Sequence, residues 1–241
     1  MNGVAAILST YHRPHELDRA LASVLEQTVK PAEIVVVSDG CDVRDCELCA
    51  NTAYLIAAFK QRTQIPLTHY QLPGAHRADT GAACRNYGLR VTSSPWIAYL
   101  DDDNWWEPTH LETLLNVANG SAAAFALSGI KIWAVSETDR FKDEVYLMDI
   151  RPRRPRHMQV DSSSFLHERR LIELYGPWGA TGAVDQDWEI ISRWLRAKEA
   201  WAVTGKLTLN YVTRKPLKFL ACYAKNRMMQ MFGLELHRCM K

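Results

Sequence analysis

The 241-residue chain has no uninterrupted apolar run near the roughly 18 residues that a membrane span requires. At Met1 it lacks the succession of basic, apolar and small residues that marks a secretory leader, so a cytoplasmic protein is expected. Gly/Ser tracts, low-complexity stretches and internal repeats are missing as well, which excludes a solenoid and leaves no marked domain boundary. Charge of one sign is also in short supply. Lys and Arg total 29 against 27 Asp and Glu, a net +2, too weak a field to make nucleic acid the main partner. No Gly-rich phosphate loop with a following Lys or Arg stands behind the first apolar segment, which weighs against nucleotidyl transfer. With no leader, the six cysteines read as reduced thiols and not as a disulfide framework.

What is present fits one globular α/β domain, since 47% hydrophobic and 23% charged residues exclude wholesale disorder. Val4 to Ser9 reads as a strand, Pro14 as a first helical position, and Leu17, Leu21, Val24 and Leu25 as the apolar stripe of the helix that follows. After Pro31, the β-branched run Ile34 to Val37 lacks alternation, as expected of a strand buried on both faces of a parallel sheet. A helix is expected at 48–60, a strand at 67–72, a helix at 81–90 and a strand at 96–100, then a helix beginning at Pro108. Beyond Ala122 the pattern loosens: a strand through Trp133, a charged loop from Glu137 to Arg156, and a strand near Val160 to Leu166. The division expected is a regular half at 1–120, a looser half at 121–214, and 215–241 as a C-terminal helical segment. That last segment, with Lys218, Lys225, Asn226 and Arg227 among apolar residues, suits an amphipathic helix packed on its own domain or a peripheral contact with a membrane surface.

In an open α/β sheet, ligands bind outside the carboxyl ends of the strands, where three polar clusters should meet: Thr10 to Arg13, Ser38 with Asp39, and Asp101 to Asp103. Consecutive carboxylates repel unless a cation relieves them, and oxygen-only ligands suit Mg²⁺ or Mn²⁺. The alternative is a solvated turn or helix cap before Trp105 and Trp106. Asp39 could accept from a nucleoside or simply form an Asp-Gly turn. Tyr11 and Arg13 suit a base and a phosphate, and the helix entry at Gly81 with Arg85 offers N–H groups and a further cation. Asp185-Gln186-Asp187-Trp188-Glu189 opens a predicted helix, whose positive end favours the ionised carboxylate a general base needs; plain N-capping is the other reading and suits Asp185 better.

Other features stand outside this pattern. Cys41, Cys46 and Cys49 have the C-x4-C-x2-C spacing that opens a plant-type iron–sulfur site, with Cys84 as a conceivable fourth ligand. The helical pattern beginning at the last two argues against a cluster cradle. The run Arg151-Pro152-Arg153-Arg154-Pro155-Arg156-His157 suits an acidic acceptor or lipid head groups, or a solvated loop. His157 and His167 are possible metal or phosphate contacts, or ordinary surface and core residues.

Taken in order, Ser9-Thr10-Tyr11-His12-Arg13-Pro14, Gln27-Thr28, Glu33 to Gly40, Gly81 with Ala83, Arg85-Asn86 and Gly88, and Tyr99 to Asn104 with Trp106 and Pro108 resemble family 2 of the nucleotide-sugar glycosyltransferases. The resemblance implies the GT-A fold, with 1–120 as the nucleotide-binding half and 121–214 as the acceptor side, and inverting transfer from a nucleotide-diphosphate sugar to an acceptor hydroxyl on a glycan, lipid-linked or small molecule. It implies that Thr10, Tyr11 and Asp39 hold the nucleoside, that Asp101 and Asp102 lie by the ribose and diphosphate, that Asp103 ligates the metal, and that Asp187 is the catalytic base. Two departures stand out. Gln186 replaces the usual Glu before Asp187, and Ser9 stands where many members have Pro. Ile190 replaces the Gln of the Gln-x-x-Arg-Trp motif of processive synthases, which implies one transfer per encounter. A non-catalytic module that binds nucleotide diphosphates on the same fold is the rival expectation.

Overall fold

The computed structural model describes residues 3–77, 79–135, 144–179 and 185–231. Its parallel half comprises β1 (Val4–Thr10), β2 (Glu33–Ser38), β3 (Leu67–Gln71) and β4 (Trp96–Asp101), in the spatial order β3-β2-β1-β4. The unbroken apolar runs have a direct cause, because successive residues enter two different cores. Val4, Ala6, Leu8, Ile34 and Val36 pack on one face with Leu17, Leu21 and Val24 of α1 (Pro14–Leu25) and with Leu111 and Leu114 of α4 (His110–Ser121). Ala5, Ile7, Ile97 and Tyr99 pack on the other with Leu89 of α3 (Ala82–Val91), Leu171 of α5 (Arg170–Tyr175) and Ile190, Ile191 and Trp194 of α6 (Gln186–Arg196). With helices on both faces, neither set of side chains can be polar. The α/β expectation therefore holds, and α2 (Glu47–Gln61), β3 and α3 fall within a residue or so of their expected bounds.

The second half is mixed. From β4 the sheet continues through β8 (Phe165–Glu168), β6 (Phe125–Ala134), β9 (Trp201–Thr213) and β5 (Trp105–Trp106), with β7 (Val145–Ile150) on β6. β8 runs antiparallel to both β4 and β6, whereas β6 and β9 are parallel. Three expectations need correction here. The charged segment 137–156 is not all loop, because Val145–Ile150 pairs with β6; Val145 and Tyr146 are exposed on opposite faces and only Ile150 is buried, so the strand gives a weak apolar signal. The strand expected near Val160 to Leu166 is a 3₁₀ turn at Ser162–Ser164 followed by β8. Asp101 to Asp103 do not cap a helix, since Trp105–Trp106 is a short strand paired with β9. The C-terminal helix α7 (Pro216–Met231) turns Phe219 and Tyr223 toward the domain, while Leu217 stays exposed. Among the described residues, no helix is long and apolar enough to cross a membrane.

Candidate active site

The pairing of β1 with β4 sets Ser9 opposite Asp101, so the polar ends of both strands meet. Ser9 Oγ donates to Asp101 Oδ1 at 2.8 Å, and Thr10 Oγ1 donates to Asp102 Oδ2 at 2.7 Å. Arg13 reaches Asp102 at 3.2 Å and Asp103 at 2.8 Å, and Arg214, just past β9, stands 3.7 Å from Asp103. Burial pushes Asp102 up to about 7, with the Asp103 charge adding and Arg13 opposing. Burial also raises Asp103, against Arg13. Asp103 is therefore paired, yet it still lines the cleft.

Arg85 is delivered by close helix packing. A Cβ on Gly88 would stand 2.4 Å from Ile7 Cγ2, so only glycine lets α3 lie directly on β1. One turn earlier, buried Arg85 donates to Asp101 Oδ1 at 2.7 Å, to Ser162 Oγ at 2.8 Å and to the Thr80 carbonyl at 2.8 Å. Burial opposes its charge, but Asp101, Asp187 and Asp161 raise its pKa on balance. Gly81 caps α3 in the left-handed region at φ +83°, a conformation that glycine adopts without strain.

Asp187 lies in the first turn of α6 and faces the same cleft. Burial pushes it up to about 6, with Arg85 opposing and Asp101 adding. Asp161 stands beside it at the cap of the 3₁₀ turn, accepting from the Ser163 N–H at 2.8 Å, and is raised well above the ordinary range by burial and by the charge of Asp187. Simple capping does not explain the acidic stretch: Asp185 occupies the N-cap without a side-chain cap bond and contacts His157 at 3.2 Å instead. Gln186 Nε2 donates to the Asp79 carbonyl at 3.0 Å, tying α6 to the entry of α3.

On the far side, Asp39 takes the Gly40 N–H at 2.7 Å, the Arg77 N–H at 3.0 Å, the Arg77 side chain at 3.1 Å and His76 Nδ1 at 2.6 Å. Four contacts fill the acceptor capacity of a carboxylate. A Cβ on Gly40 would meet the Gly74 carbonyl at 2.3 Å, so Asp39-Gly40 is more than a turn: it receives the 73–77 loop. The Tyr11 ring is stacked between His12, at 4.0 Å, and His76, at 3.9 Å. Tyr11, Asp39 and His76 line one cleft of about 570 Å³ together with Arg85, Asp101 to Asp103, Asp161 and Asp187.

The sequence pattern of Glycosyl transferase family 2 matches residues 5–171, more than half of the chain. The chain belongs to that family. It is 28% identical over 129 residues to the UDP-Glc:alpha-D-GlcNAc-diphosphoundecaprenol beta-1,3-glucosyltransferase WfgD of Escherichia coli, covering 54% of this chain and 46% of that one. It is 28% identical over 112 residues to glycosyltransferase GlyA of Streptococcus pneumoniae, covering 46% of this chain and 14% of that one. The matches thus span less than half of these relatives' lengths. In fold, 98% of this chain superposes on 67% of S. aureus TarS 1-349 in complex with UDP, with a TM-score of 0.64 at 14% identity. The mannosyltransferase PcManGT from Pyrobaculum calidifontis, in complex with GDP-Man and Mn2+, gives 0.59 at 16% identity, over 95% and 61% of the two chains.

Within this glycosyl transferase fold, the expected site residues Thr10, Tyr11, Arg13, Asp39, Gly81, Arg85, Asp101, Asp102, Asp103 and Asp187 all line the same cleft. Sequence reasoning missed Asp161, Ser162, His76, Arg77 and Arg214. Only the Asp-Ser-Ser-Ser succession at 161–164 carried a signal, that of a cap, and it pointed to structure and not to the cleft. Of the two histidines, His157 lines the cleft, whereas His167 is core, bonded to the Tyr99 hydroxyl at 3.0 Å and held neutral by burial, its pKa near 4.

Proposed function

We propose that the chain transfers a sugar from a nucleotide-diphosphate donor to an acceptor hydroxyl, with inversion and one transfer per encounter. The observation that carries this is the gathering of Asp101, Asp102, Asp103, Asp161 and Asp187 around Arg13, Arg85 and Arg214 at one sheet edge. Burial and the excess of five carboxyls over three guanidiniums raise the proton affinity of Asp102, Asp161 and Asp187, a strain that a cation relieves in place of protons, and hard oxygen donors fit Mg²⁺ or Mn²⁺. Asp103, on the cleft, would hold the ion with donor phosphates; when bound, the ion supplies charge neutralisation for the diphosphate leaving group.

The chain's own residues carry the other tasks. Tyr11 offers a ring for the base and Asp39 an acceptor for its N–H, which enters by displacing His76 or Arg77. Arg85 holds Asp101 against the strand edge and lowers the proton affinity of Asp187. Asp187 takes the acceptor proton; a carboxylate raised to about 6 is a stronger base than an ordinary one and is still ionised at neutral pH. Ile190, in place of the processive Gln, supports single transfer. The acceptor is a glycan, lipid-linked or small molecule, and exposed Leu217 beside Lys218 suits peripheral contact with a bilayer carrying a lipid-linked one.

The test pairs calorimetric titration of nucleotide diphosphates plus Mn²⁺ with transfer assays over a panel of nucleotide sugars. Binding together with transfer is expected. Binding without transfer or sugar release would replace this reading by a non-catalytic binding module.

A further inference from the structure

A second set of metal-binding side chains lies beside the cleft. After β2 the chain loops out through Cys41 and returns at Cys46, the N-cap of α2, with Cys49 in the helix's first turn. His12, leaving β1, reaches the same place: its Nε2 is 3.4 Å from Cys46 Sγ and 3.5 Å from Cys49 Sγ. The four donor atoms of His12, Cys41, Cys46 and Cys49 all lie within 4.8 Å of one another. A ring nitrogen carries one lone pair or one proton, so a single hydrogen bond does not account for two sulfurs converging on it. Tetrahedral zinc, with bonds of about 2.3 Å to sulfur and about 2.0 Å to nitrogen, sets sulfur–nitrogen edges at about 3.5 Å. Both His12 distances match that edge. The backbone agrees, since His12 and Asp45 are held at φ +54° and +51°, a region that non-glycine residues occupy when surrounding contacts enforce it.

We propose that His12, Cys41, Cys46 and Cys49 form a structural zinc site closed by four protein ligands. Three thiolates and an imidazole make a soft donor set suited to zinc, unlike the oxygen-only set of the cleft. Cys84, the conceivable fourth ligand of the iron–sulfur alternative, is elsewhere, packed with Val35, Val37 and Leu72. The zinc pins the loop after β2 and the start of α2 to the residue after Tyr11. Because the His12 ring stacks on Tyr11, the site also presets that ring, a consequence that rests on the nucleoside role proposed for Tyr11.

The test measures zinc by plasma mass spectrometry in the full chain purified without chelator, and then cobalt uptake, followed by absorbance, after the bound zinc has been removed. About one tightly held zinc per chain is expected, the stoichiometry of a closed site. Cobalt should give a thiolate-to-metal charge-transfer band, absent in a Cys41→Ser/Cys49→Ser variant. Asp103→Ala should keep the zinc, which separates this site from the cleft. The wild-type cobalt band stands even if the cysteine variant fails to fold. Background zinc with no charge-transfer band on adding Co²⁺, bound iron with sulfide in place of zinc, or a disulfide among the three cysteines in freshly prepared protein would each overturn the proposal. None of these results bears on calorimetric nucleotide binding, which tests the transferase reading separately.

Discussion

On either side of Tyr11 the chain serves two opposite solutions to clustered ligands. Thr10 points to Asp102 in a cluster of oxygens, and His12 points to Cys46 and Cys49 in a cluster of sulfurs. The oxygen cluster is open to a cleft and partly neutralised by Arg13 and Arg85, an arrangement that suits the exchangeable ion proposed for it. The sulfur cluster offers a complete set of four protein ligands, the mark of a resident ion. If both proposals hold, openness, more than the number of donors, separates a working site from a structural one.

The sharpest way to test that contrast is at the base. Asp187→Asn should lower turnover roughly 10²- to 10⁴-fold, the usual worth of a general base, while Mn²⁺-dependent binding of the nucleotide diphosphate survives in calorimetry. A fully active variant would remove Asp187 from the mechanism. Asp103→Ala comes next: donor and Mn²⁺ affinity should fall together by more than about 10-fold, the least that even an outer partner of a metal costs.

Protonation probes the same difference more gently. Asp187, raised to about 6, should lose its basic form as pH drops through that value, so kcat/KM measured against pH should fall on its acid side. Asp102, raised to about 7, and Asp187 bind protons in the folded chain that the unfolded chain has already released. Between about pH 4 and pH 7 these groups therefore make the metal-free protein less stable as pH rises, and saturating Mn²⁺ should flatten that slope in thermal melts. Glu33 and Asp39, lowered by hydrogen bonds that outweigh burial, act the other way and mainly below that window. A metal-free melting temperature that rises steadily across pH 4 to 7 would count against the buried-charge argument. The smallest effect is expected at His76. Its ring covers one face of Tyr11 and occupies Asp39, so His76→Ala should tighten nucleotide binding by a few-fold in titration.

Much of the parallel half was legible in the sequence. Ile34 to Val37 and Trp96 to Leu100 show uniform burial because each faces two cores, and Asp39 and Asp101 announce themselves by ending such runs. The mixed half was not. β9 is a 13-residue strand with polar Thr208 and Asn210 buried in it, and β7 sits in a charged stretch, so neither displays a clean period. Asp161 carried only the signature of a cap, and Arg214 none.

The cysteine spacing was visible, but its fourth partner was not, because His12 approaches from a different strand. Local order such as buried runs, the proline before α1 and the acidic end of β4 is written in neighbouring residues, since period and capping act over a few positions. Which distant groups meet, Arg85 with Asp101, Asp161 with Asp187, His12 with the thiols, was decided only when strand order and close helix packing brought their elements together.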